Sequence, residues 1–122
     1  MARVFTYGTL MKNQRNHYLL ENSKYLGDAY LKDYGLLEIG TYPAAVKMDG
    51  FTVYGEVYEV DECTKKDVDQ LEDEGNLYKY KNVAVIMNDE EIEVGFYEFI
   101  DKGHKYPVRK PLGKWNMIRQ DV

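Results

Sequence analysis

Two places in the chain combine residue types and spacings that could do chemistry: Val4-Phe5-Thr6-Tyr7-Gly8-Thr9-Leu10, and the acid-rich stretch from Asp67 to Glu74. The first is a short β-favouring run that ends in a glycine and a hydroxyl residue before a polar segment. It reads as strand, tight turn and helix start. Gly8 can take backbone angles closed to other residues and lets a ligand approach the main chain, and Thr9 or Asn13 can cap the next segment. Such a turn aims several backbone N–H groups at one spot, where a carboxylate or an oxyanion can be held without a charged side chain. On residue types alone, an ordinary strand-to-helix turn is the favoured reading.

In the second stretch Thr64, Val68, Leu71 and Glu72 recur at helical spacing, which puts them on one stripe, with Asp67, Asp69 and Asp73 on the solvated side. A carboxyl turned toward apolar surroundings is harder to ionise, and that suits it to move protons near neutral pH. By spacing alone Glu72 could also flank the stripe and reach water past the helix end. Other candidates carry less. Glu56 sits in an otherwise apolar strand, either facing solvent or as a second acid near a pocket. His17 reads as a partly buried helix histidine with a hydrogen bond rather than a general base. Cys63, the single cysteine, has no histidine nearby to activate it and reads as a helix-start residue. With only two histidines beside it, no zinc spacing can be assembled.

To position these residues the chain has 122 residues, a length that suits one domain with a single core. A formal charge of −5 argues against a nucleic-acid partner. No stretch approaches the roughly 20 apolar residues of a membrane span, and the N-terminus lacks the apolar run of a secretory signal, so a cytoplasmic location is expected. The 12 tyrosines are expected to line a β-rich core and its mouth. A short helix is expected over Asn13–Ser23, then strand, bend and strand over Lys24–Ile39. Tyr42-Pro43 opens an extended piece at a sheet edge or bulge, because Pro43 has no N–H for a ladder. Phe51–Val60 reads as a central strand. Asp61–Asp73 is the clearest helix, capped by Asp61 or Thr64 and ended by Gly75-Asn76. Tyr78–Met87 and Glu91–Ile100 form a hairpin across Asn88-Asp89-Glu90. A tail from Asp101 to Val122 is expected to dock through Trp115.

Three blocks in order carry a family likeness: Tyr7-Gly8-Thr9-Leu10 with Gln14 and Asn16-His17; Gly55-Glu56-Val57-Tyr58-Glu59-Val60-Asp61; and Asp69-Gln70-Leu71-Glu72 with Tyr78 six residues on. Tyr42-Pro43 adds a smaller element. Together they resemble the γ-glutamylcyclotransferase-like family, most closely its γ-glutamylamine cyclotransferase and AIG2-like branch. The resemblance implies an α+β fold over a single domain, residues 1–122: a mixed sheet closing into a small barrel, with two main helices packed against it. It implies an enzyme in which the substrate's own α-amino group attacks its γ-carbonyl, releasing 5-oxoproline and an amine. Glu72 would be the catalytic acid/base rather than Glu74, since only Glu72 keeps both the preceding Asp69 and the following Tyr78 in place. Tyr7, Gly8, Thr9, Leu10 and Tyr78 would bind substrate, the loop amides taking either its carboxylate or the oxyanion. No cofactor or metal is implied. The expected partner is a small γ-glutamyl molecule, with no nucleic acid and no membrane, and the protein a monomer or weak homodimer. Tyr80 stands where the family pattern has Arg, which leaves a non-catalytic binding module as the alternative. The tail from Lys102 to Val122 is expected to shape the leaving-group side.

Overall fold

The computed structural model describes residues 1–39 and 42–101, together with the backbone of 117–119. The described elements are β1 (Ala2–Thr6), a 3-10 turn (His17–Leu20), β2 (Lys24–Ile39), β3 (Tyr42–Val60), α1 (Glu62–Leu71), β4 (Tyr78–Met87), β5 (Glu90–Phe99) and β6 (Met117–Arg119). They form a mixed sheet in the order β1-β5-β4-β2-β3-β6, and β3 also pairs with β1. The β1–β5 contact is parallel and the other pairings are antiparallel.

The sheet is longer-stranded than the glycines suggested. Lys24–Ile39 is one 16-residue strand rather than two around a bend. Register shifts between Tyr25 and Gly27 and between Lys32 and Tyr34 absorb the irregularity instead. Likewise the two expected extended pieces merge into the 19-residue β3. Asp33 and Gly50 take left-handed angles opposite each other (φ 64° and 83°), and the Gly50 N–H donates to Asp33 Oδ1 at 3.2 Å. Pro43 pairs with Glu38 of β2, whereas β1 and β6 meet β3 only at residues 56–60 and 51–53. At Pro43, β2 is the one ladder partner of β3 among the described residues, so this stretch of β3 is a sheet edge, as expected.

Two main helices are not found: the described residues contain one α-helix and the single 3-10 turn. The segment expected to be helical from Asn13 instead starts with Asn13 left-handed (φ 66°), and its amides close short turns, Gln14 N–H to Met11 O and His17 N–H to Gln14 O. Helix α1 begins as its cap predicts, with the Asp61 carboxylate accepting the Thr64 N–H at 2.7 Å. It ends earlier than the Gly75-Asn76 signal, because Asp73 already turns left-handed (φ 51°) after Glu72. The β4–β5 hairpin closes through Asn88 and Asp89, both at positive φ, as a two-residue turn whose twist matches the strands requires. The expectations for Trp115 and the tail fall on residues 102–116, outside those described.

Phe5, Leu36, Val53, Val57, Val85 and Phe96 form the centre of one apolar cluster between the strands. A second, including Val4, Leu20, Val60, Val68 and Phe99, seats α1 on the sheet through Val68, the helix's buried residue. Tyr7, Tyr34, Tyr58, Tyr78 and Tyr97 are buried in these clusters, and each hydroxyl has a hydrogen-bond partner. Among the described residues no helix is long and apolar enough to cross a membrane.

Candidate active site

The end of β1 and the end of α1 open onto one cavity of about 270 Å³. Every site residue predicted from the sequence lines it: Glu72, Tyr7, Gly8, Thr9, Leu10 and Tyr78.

The loop after β1 is held from its outer side. The Met11 N–H donates to Gly8 O at 3.0 Å, closing the turn, and the Asn16 N–H donates to Thr9 O at 2.9 Å. Asn16 Nδ2 donates to Thr9 Oγ1 at 2.9 Å, and His17 Nδ1 donates to Leu10 O at 2.8 Å. Glu56 accepts the Lys12 N–H and the Tyr58 hydroxyl, both at 3.0 Å. The carbonyls of Gly8, Thr9 and Leu10 are thus all occupied, while their amides donate to no backbone carbonyl among the described residues. Gly8, Thr9 and Leu10 line the cavity, which makes these amides candidate donors to a carboxylate or an oxyanion. Thr9 Oγ1 accepts from Asn16, so its own proton is free to point elsewhere. His17 and Glu56 serve this frame. His17 keeps its plain reading, and Glu56 is neither purely solvent-facing nor part of the cavity lining.

Glu72 reaches the cavity because it is the C-cap of α1: its N–H still donates to Val68 O at 2.9 Å, while the chain turns away at Asp73. It is partly exposed to the cavity, yet apolar and aromatic groups crowd its carboxyl. Burial raises its pKa from 4.5 to about 7. Its charge also helps push the Tyr7 and Tyr97 hydroxyls above the usual phenol range, after the larger effect of their own burial. Glu74 is exposed and points elsewhere, accepting the Tyr80 N–H at 3.2 Å.

Two of the expected binding residues use their hydroxyls for the frame. Tyr7 donates to Tyr97 O at 2.7 Å and accepts the Ala45 N–H at 3.3 Å, and Tyr78 donates to Pro43 O at 3.0 Å. Their rings shape the wall. Sequence reasoning missed Arg15, Asn16 and Tyr97, which also line the cavity. Arg15 lay in plain view between Gln14 and Asn16 of the first block, and the left-handed turn at Asn13 is what brings it round to the cavity. Among the described residues no three His, Cys, Asp or Glu side chains gather as metal ligands.

Residues 4–117 match the family model described as γ-glutamyl cyclotransferase, AIG2-like. The chain belongs to that family. Among the relatives of this AIG2-like chain is a γ-glutamylcyclotransferase family protein of Escherichia coli K12, 41% identical over 76 residues. That stretch is 62% of this chain and 66% of the relative, just under two thirds of its length. A Methanocaldococcus jannaschii protein named as a candidate γ-glutamylcyclotransferase is 38% identical over 100 residues, 80% of this chain and 83% of that one. In structure the AIG2-like chain is similar to a mouse AIG2-like protein, with a TM-score of 0.73 and 27% identity over 80% of this chain and 76% of the other. An uncharacterised protein of Pyrococcus horikoshii matches with a TM-score of 0.67 and 28% identity, over 98% of this chain and 86% of the other.

Proposed function

We propose that this chain is a cyclotransferase acting on γ-glutamyl amines or small γ-glutamyl peptides. The observation that carries the reading is the cavity shared by Glu72 and the amides of Gly8, Thr9 and Leu10. One wall offers donors for negative charge, and the other a carboxyl whose pKa lies near neutrality. We read the run of pairings β1–β5–β4–β2–β3 and back to β1 as a small barrel with this cavity at its mouth.

In the proposed reaction Glu72, as carboxylate, takes a proton from the substrate α-ammonium. The freed amine attacks the γ-carbonyl carbon, forming the new C–N bond of a five-membered ring and an oxyanion. Collapse of that intermediate breaks the old C–N bond as Glu72 passes its proton to the departing amine, and the second proton, lost as the ring nitrogen becomes the lactam N–H, leaves on that amine as ammonium. No water is consumed. Folding the substrate for attack supplies the main advantage, since effective molarities of well-oriented intramolecular reactions reach ~10⁵ M or more. The loop amides take the oxyanion or the α-carboxylate, and Arg15 is a cationic residue in the lining of the same cavity.

Incubation with γ-glutamyl-ε-lysine and a panel of γ-glutamyl amides is expected to release 5-oxoproline. A folded Glu72→Gln variant that turns over as fast as the parent would refute the assigned role. The alternative, a binding module without turnover, is favoured by Tyr80 in place of the family's Arg. Binding of 5-oxoproline with no release from any γ-glutamyl compound would support it over the enzyme.

A further inference from the structure

Tyr97 connects the two halves of the site. Its hydroxyl donates to Asp69 Oδ1, one turn before Glu72 on the same helix. Its main-chain carbonyl accepts the Tyr7 hydroxyl at 2.7 Å, one residue before the Gly8 loop. The Asp69 carboxylate is in turn paired with Lys65, the residue one helical turn earlier, at 2.6 Å. The Lys65 ammonium lies 3.7 Å from the centre of the Tyr80 ring and 5.5 Å from that of Tyr97, with the two rings 5.1 Å apart. Lys65 is thus fixed by two rings and a carboxylate, Asp69 by a cation and a phenol, and α1 is tied to β4 and β5 just before it delivers Glu72.

We propose that Lys65, Asp69 and Tyr97 form a brace that positions Glu72 against the Gly8 loop. The inference rests on the cyclotransferase reading for its kinetic consequence, and on packing alone for its structural one. Glu72 is the C-cap of the helix, the Asp73 and Glu74 N–H groups still donate to Gln70 O and Asp69 O, and the chain reverses at Asp73. Val68 seats the helix on the sheet four residues before Glu72. The tie from Asp69 to Tyr97 adds a polar hold one residue closer to that terminus, and the Tyr7 bond to Tyr97 O holds the loop from the other side. The Tyr97 hydroxyl stays protonated throughout the working pH range, burial and then Asp69 holding it above the usual phenol range, so it is a permanent donor. None of the three residues need touch the reacting atoms. They are positioning residues.

The test compares wild type with Tyr97→Phe by steady-state kinetics on a γ-glutamyl amine, and by carbon NMR titration of the Glu72 carboxyl, which needs no activity. The charged and titratable groups lining the cavity with that carboxyl are Tyr7 just after β1, Arg15 of the loop, Tyr78 of β4 and Tyr97 of β5. Only Tyr97 changes in the variant. With the brace cut, kcat is expected to fall roughly 10- to 100-fold with KM within about twofold, and the Glu72 titration to move down as water reaches the carboxyl. Unchanged kcat and unchanged Glu72 titration in a folded variant would overturn the brace, as would a lower melting temperature with the titration unmoved. If wild type releases no 5-oxoproline but the titration still moves, the cyclotransferase reading fails and the brace stands. Should Tyr97→Phe not fold, Lys65→Met carries the same expectation, and Lys65→Arg, which keeps the cation over the rings, is expected to restore wild-type behaviour.

Discussion

Glu72 is held where its charge is costly, and that cost gives the site its pH dependence. Its pKa in the fold is about 7 against an ordinary 4.5, raised by burial. The unfolded chain therefore releases this proton before the folded one, so stability falls as pH rises from about 4.5 to about 7 and is level above that. Glu72→Gln, which mimics the protonated form, is expected to be more stable than the parent at pH 8 by up to about 3 kcal/mol, and no more stable at pH 4, in urea titrations. The same variant is expected to lose at least ~100-fold in turnover. In the parent, the proposed role of the carboxylate as base predicts that kcat/KM rises with pH through about 7. Tyr7 makes a second prediction at this scale. Tyr7→Phe strips a hydroxyl from between Tyr97 O and the Ala45 N–H, leaving two buried polar groups unpaired. A loss of about 1–3 kcal/mol in thermal or urea unfolding is expected.

At the scale of elements, the site depends on β1 crossing close over β3. Gly55 allows it: a Cβ there would meet the main-chain oxygen of Thr6, and the Phe5 ring at 2.8 Å. Gly55→Ala forces β1 outward just before the Gly8 loop and is expected to lower stability by about 1–3 kcal/mol, measurable as a fall in melting temperature, and to reduce turnover with it. Local signals of this kind were readable in the sequence. The β4 span from Tyr78 to Met87 is found as expected; of the two possible caps, Asp61 or Thr64, Asp61 is the one used; and the expected Asn88-Asp89-Glu90 turn is the two residues Asn88 and Asp89, with Glu90 already opening β5. The link from Glu72 to the opening loop as members of one pocket was also readable, because the three spaced blocks carry it. What the sequence concealed is held by distant partners. Glu56 ties Lys12 across 44 residues, and Asp69 holds Tyr97 across 28. No periodicity encodes such pairs. Nor does local propensity reveal that two bulged glycine-containing stretches continue as the long β2 and β3, since their ladder to each other, not their own preference, keeps them extended. The shortfall in helix has a similar origin: the amides of Met11, Lys12, Gln14, Asn16 and His17 are used to build the loop.

For the molecule as a whole, a ring of strand pairings carries the amide loop on one edge and receives the acid from α1 on the other. In the proposed reaction the sheet and helix need not supply a nucleophile of their own: the substrate brings one, and the protein folds it, holds its negative charge and moves its protons. Hydrolysis in the same cavity would instead use water and yield glutamate. The two outcomes are separated most directly by turning over a γ-glutamyl amine in water carrying heavy oxygen and weighing the acidic product. Ring closure predicts 5-oxoproline with no label incorporated, released in equal amount with the free amine and abolished by Glu72→Gln. Labelled glutamate as the first product, or unlabelled 5-oxoproline formed as fast by the variant, would contradict it.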